Sequence, residues 1–82
     1  MADKKQLQLA VGKNIKKLRE ERKISQQDIA AACNIEKSNF SRLEAGNTNP
    51  TLYTLQKIAE NLDVDLCEIV NFSIPKKLKK RY

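Results

Sequence analysis

"AAACNIEKSNF", residues Ala30 to Phe40, joins a run of small residues to a polar run through a single asparagine. Neither half holds a helix alone, because isolated helices shorter than about 12–15 residues are marginal in water. Two such pieces become stable by packing on each other and on a shared scaffold. A steep bend between them needs a residue that tolerates positive φ, and Asn34 is among the few non-glycine types that do so. Ala30 leaves room for a close crossing, Cys33 acts as a small hydrophobe, and Ile35 closes the turn from below. Two helices set at about 90–120° across a turn of 3–4 residues make a helix-turn-helix, although an ordinary helical corner shares that outline.

The flanking periodicity supplies the scaffold. Leu7, Val11, Ile15 and Leu18 recur every three or four residues, which predicts one apolar stripe on a first helix over about residues 4–22. Ser25 suits an N-cap, and Asp28 sits where a carboxylate favours the helix dipole, so the pair resembles a capping box. A second helix then runs from Gln26 to about Cys33, burying Ile29, Ala30 and Cys33. The third spans about Lys37 to Ala45, with Phe40, Leu43 and part of Glu44 inward, and Gly46 ends it. "NTNPT" reads as a loop, after which Thr51 caps a fourth helix with the stripe Leu52, Leu55, Ile58, Ala59 and Leu62. Val64 docks, Asp65 caps a short fifth helix, and Leu66, Ile69 and Val70 face in. The expectation is an all-α, compact five-helix domain over residues 1–74, followed by a flexible basic tail over 75–82.

Composition agrees with that reading and narrows the function. The chain has 82 residues, two prolines and two glycines, too few for a loop-rich or all-β fold. Net charge is +6, and five of the positive charges lie in the last seven residues. Residues 1–24 carry eight basic against three acidic groups, whereas residues 50–74 carry one lysine against Glu60, Asp63, Asp65 and Glu68. That polarity suits a polyanionic partner. There is no histidine, and Cys33 and Cys67 lie far apart, so no metal site or cofactor is expected. No apolar run approaches the roughly 20 residues of a membrane span and no signal peptide is evident, which points to a cytoplasmic protein with reduced thiols. Without a phosphate-cradling loop or a nucleophile–base pair, an enzyme is not expected.

The outer face of the third helix holds the most information. With Phe40, Leu43 and Glu44 inward, a 100° step per residue turns Ser38, Ser41, Arg42 and Ala45 outward, flanked by Lys37 and Asn39. This face has hydrogen-bonding side chains of modest size and one arginine, which suits the edges of bases in a major groove. A plain solvated face is the alternative.

Residues 25–69, "SQQDIAAACNIEKSNFSRLEAGNTNPTLYTLQKIAENLDVDLCEI", resemble the Cro/C1-type (phage repressor-like, XRE) helix-turn-helix domain, and the similarity covers about residues 10–70. The markers are Gln26, Ala30, Asn34, Phe40 and Leu43, the "RLEAG" end of the third helix, the "NPTLYTL" entry to the fourth and the closing "LDVDL". Asn34, where glycine is commoner, and Phe40, where Ile or Val is usual, depart from the pattern but keep its physics. The resemblance implies a lambda-repressor-like fold and sequence-specific binding of double-stranded DNA by a small transcriptional regulator, a repressor. It implies Lys37, Ser38 and Arg42 as base-reading residues with Ser41 as an added contact, and Gln26, Asn47 and Asn49 as phosphate contacts. It also implies a structural ion pair between Arg19 and Glu44.

Members of that family bind palindromic operators as dimers, with half-sites one helical turn apart. The fifth helix and its extension carry more apolar residues than so short an element normally buries. Cys67, Phe72 and Ile74 are therefore expected at a homodimer interface, the alternative being that Phe72 and Ile74 fold back over the core. Two other functions stay open: an antitoxin of a toxin–antitoxin pair, and a helical protein-interaction module that has lost DNA binding. No membrane contact and no small-molecule ligand are expected.

Overall fold

The computed structural model describes residues 3–74, so the expected tail over 75–82 lies outside the described residues. Five helices follow one another: α1 (Lys4–Glu21), α2 (Gln26–Ala32), α3 (Lys37–Glu44), α4 (Leu52–Leu62) and α5 (Leu66–Ile69). No strand occurs among the described residues. Four of the five starts have a local side-chain cause, and α3 begins after Glu36 without one. Asp3 Oδ1 accepts the Gln6 N–H at 2.7 Å, Ser25 Oγ accepts the Asp28 N–H at 3.0 Å, and Thr51 Oγ1 accepts the Thr54 N–H at 3.1 Å. Each bond satisfies a donor that the first helical turn leaves free. The reciprocal bond of a capping box is found at α5, where Glu68 Oε2 accepts the Asp65 N–H at 3.3 Å.

The turns are equally specific. Asn34 has φ 59°, as the bend after α2 requires, and Gly46 has φ 81° just past α3. Lys23 and Asp63 also adopt the left-handed region, at φ 56° and 60°, without any glycine to mark them. Asp63 is the C-cap of α4, so its strain stands at a helix end where one residue must reverse the chain.

One core unites the five helices. Val11, Ile15 and Leu18 from α1 meet Ile29, Ala30, Cys33, Phe40, Leu43, Leu55, Ile58, Ala59, Leu62 and Ile69. Ile24, Ile35, Val64, Leu66 and Phe72 pack against its margin. Three expected core positions fall outside it. Leu7 is 46% exposed, Leu52 68% and Val70 44%, and each lies within a turn of a helix end. Leu7 and Val70 instead line a shallow apolar groove with Val11, Pro50 and Leu55.

One contact seats α3 against α1, and another fastens α5 to the same helix. Gly12, in the middle of α1, meets the Leu43 and Glu44 carbonyls of α3 so closely that no Cβ fits between them. A glycine inside a helix costs about 1 kcal/mol relative to alanine, and here it permits backbone-to-backbone packing of two helices. At the far end of the scaffold, Asn14 Nδ2 donates to the Glu68 and Ile69 carbonyls at 2.6 and 2.7 Å. These bonds satisfy carbonyls at the end of α5 and fasten it to α1.

Candidate nucleic-acid interface

α2 and α3 are short, seven and eight residues, and α3 is held from behind by its buried side. Phe40, Leu43 and Glu44 face the interior. Lys37, Ser38, Asn39 and Arg42 are exposed on the other side, and Ser41 is half-buried between the two. Ala45 is exposed beyond the last turn. The outer surface of α3 is therefore free of tertiary cover where its polar side chains emerge. An α-helix with such a ridge fits the width of a B-DNA major groove.

Behind the ridge, Glu44 is a buried carboxylate with three donors. Arg19 Nε reaches Oε2 at 2.7 Å, Arg19 Nη2 reaches Oε1 at 3.0 Å, and Gln26 Nε2 reaches Oε1 at 2.8 Å. Arg19 Nη1 also donates to the Ile24 carbonyl at 2.7 Å. The hydrogen bond to Glu44 raises the Arg19 pKa above its ordinary value, against the opposing effect of burial. Buried charge is costly unless paired and hydrogen-bonded, and this carboxylate meets both conditions. The network joins α1, the first residue of α2 and the last turn of α3. Gln26 thus has a structural partner as well as an exposed edge, which its place at the start of α2 did not reveal.

The loop after α3 carries Asn47 and Asn49, both exposed. Lys5 Nζ reaches back from the first turn of α1 to the Gly46 carbonyl at 2.9 Å and to Asn47 Oδ1 at 2.6 Å. Sequence reasoning missed Lys5, Gly12 and Asn14. A lysine reaching across 42 positions leaves no local signature. Gly12, an interior glycine in an otherwise strong helix, was a signal of close approach.

At α5, Cys67 is exposed while Phe72 and Ile74 are half-buried. Phe72 packs against the core margin and lines a groove with Ala10, Lys13, Asn14 and Lys17 of α1. Glu60, Asp63, Asp65 and Glu68 gather around the α4–α5 junction, so the acidic side chains sit together in space as they do in sequence. No helix among the described residues is long and apolar enough to cross a membrane, and they hold no metal-binding cluster.

A helix-turn-helix family profile matches residues 15–69, which span α2, the turn at Asn34 and α3. The chain belongs to the helix-turn-helix family. Its type is that of the Cro/C1 transcriptional regulators, a DNA-binding class without enzymatic activity. The uncharacterized HTH-type transcriptional regulator y4dJ of Sinorhizobium fredii is 37% identical over 60 residues, covering 73% of this chain and 78% of that protein. The immunity repressor protein of Bacillus phage phi105 is 36% identical over 62 residues, covering 76% of this chain. The helix-turn-helix chain spans only 43% of the length of that repressor. Among solved structures, the restriction-modification controller protein C.AhdI of Aeromonas hydrophila superposes with a TM-score of 0.72 at 26% identity, covering 74% of this chain and 92% of that one.

Proposed function

We propose that this chain recognises a specific double-stranded DNA sequence in the cytoplasm and represses transcription there, with α3 in the major groove. The observation that carries this reading is the exposure of Lys37, Ser38 and Arg42 on one side of α3 while Phe40 and Leu43 anchor the opposite side. Arg42 pairs with guanine O6 and N7, and Lys37, Ser38 and Ser41 reach neighbouring base edges. Gln26, Asn47 and Asn49 hold phosphates on either side, which sets register without choosing sequence. A groove reader of this kind works best doubled, so the operator is palindromic and the protein binds it as a homodimer. Exposed Cys67 and half-exposed Phe72 and Ile74 supply apolar surface for that interface. The five positive charges in residues 76–81 add phosphate attraction that is independent of sequence. The described residues form the DNA-binding unit, and the basic segment that follows is an accessory to it.

Selection of duplexes from a random library by the purified chain tests this directly. The expected product is an enriched motif with two inverted half-sites about 10 base pairs apart centre to centre. Failure to enrich any sequence at low ionic strength overturns the reading. Enrichment of a single unrepeated half-site removes the dimer but keeps the reader helix.

A further inference from the structure

We propose that Lys5, at the start of α1, is a positioning residue for DNA binding: it fixes the side-chain amide of Asn47 with its donor end outward. This rests on the reading of Asn47 as a phosphate contact. The loop after α3 is held to α1 at successive points. Leu9 packs so close behind Gly46 that an added Cβ would come within 2.9 Å of the Leu9 Cα. Lys5 Nζ donates to the Gly46 carbonyl and, at 2.6 Å, to Asn47 Oδ1.

The chemistry of the amide gives this contact its meaning. An asparagine side chain accepts at one end and donates at the other, whereas a phosphate only accepts. Asn47 assists DNA binding only with Nδ2 toward the backbone. Lys5 has no acceptor, so it claims Oδ1 and leaves Nδ2 to face the other way. An unrestrained asparagine samples about three χ1 wells and two amide orientations, and selecting one of these states gains up to about sixfold in affinity. The short, charge-assisted bond supplies that selection before DNA arrives.

The test is a double-mutant cycle on the duplex recovered from the library selection, followed by fluorescence anisotropy at fixed salt. Asn47→Ala is expected to weaken the wild-type chain about tenfold, as loss of a hydrogen bond to a charged group does. In a Lys5→Met background the same change is expected to cost only about twofold, because the amide is no longer preset. Lys5→Arg keeps a donor on Oδ1 and is expected to bind as wild type. Asn47→Asp keeps the partner of Lys5 and the thermal midpoint but removes the donor, so it is expected to bind no better than Asn47→Ala. Equal losses from Asn47→Ala in both backgrounds overturn the proposal. So does a fall of about one in the salt slope for Lys5→Met with no change in the cost of Asn47→Ala, which makes Lys5 a direct phosphate contact. If the wild-type chain binds no duplex, DNA recognition itself fails. If wild type binds and the cycle is additive, only the positioning role fails.

Discussion

Arg19 of α1 grips Glu44 at the end of α3 through both carboxylate oxygens, and Gln26 from the start of α2 completes the set at 2.8 Å. Removing one charge strands the other in a buried site. Glu44→Ala or Arg19→Ala is therefore expected to cost about 3–5 kcal/mol in urea denaturation. Replacing both together, Arg19→Met with Glu44→Leu, is expected to recover most of that loss, because burying the pair carried its own desolvation cost. If each single change costs under 1 kcal/mol, the pair does not brace the fold. The raised pKa of Arg19 gives the sign of its pH dependence. Stabilisation by a cation whose pKa rises on folding is complete at neutral pH and disappears only beyond the ordinary arginine range.

Gly12→Ala separates helix propensity from packing. In an open helix the change gains about 1 kcal/mol. Here the new Cβ would lie 2.6 Å from the Leu43 carbonyl and closer still to that of Glu44, so α1 and α3 must part. A net loss of about 1–3 kcal/mol is expected on thermal unfolding. A stabilised variant would mean that the two helices slide apart freely.

The two cysteines are expected to react at very different rates. Cys67 is exposed, whereas Cys33 is buried with its Sγ 3.7 Å from the Lys57 carbonyl. Burial is the largest influence on the Cys33 thiol and pushes its pKa up, so the unreactive protonated form persists to higher pH than in an open chain. At protein concentrations low enough to keep the chain monomeric, one equivalent of a thiol reagent is expected to react quickly at pH 8, with the second appearing only as the chain unfolds. Rapid double labelling of native protein would contradict the packing of α2 against α4.

Arg42 and Gln26 should fail differently. Arg42 is exposed and makes no ion pair among the described residues, so Arg42→Ala should leave stability within about 0.5 kcal/mol. Its expected cost is about 1–3 kcal/mol of DNA affinity, with relaxed preference at one base pair. Gln26→Ala should weaken binding to every duplex more evenly. Competition binding with single-base operator variants checks both, and an unchanged base preference for Arg42→Ala would remove α3 as the reader.

Much of this architecture was legible because its causes are local. Ser25 and Thr51 announce helix starts through their hydroxyls, Asn34 and Gly46 announce bends through their tolerance of positive φ, and Val11, Ile15 and Leu18 announce a buried stripe. The expected burial of Leu7, Leu52 and Val70 failed at helix ends, where the repeat of apolar residues has no further turn to continue it. What escaped notice depends on partners distant in the chain. Nothing beside Lys5 indicates Asn47, nothing beside Asn14 indicates the end of α5, and Gln26 gives no sign that Glu44 holds it. Lys23 and Asp63 adopt positive φ where local backbone bonds close the ends of α1 and α4, from the Ile24 N–H to the Arg19 carbonyl and from the Val64 N–H to the Ala59 carbonyl, at positions that carry no glycine to mark them.

The contact at Gly12 has a consequence for altering specificity. At Gly12, α1 meets the Leu43 and Glu44 carbonyls of α3 without an intervening side chain, so no substitution at that position can change the tilt of α3 in small steps. If α3 reads bases as proposed, new target preferences are expected from exchanging Lys37, Ser38, Ser41 and Arg42 on an unmoved frame. None of the four belongs to the core, so a combinatorial set randomised at these positions should fold nearly as often as the parent.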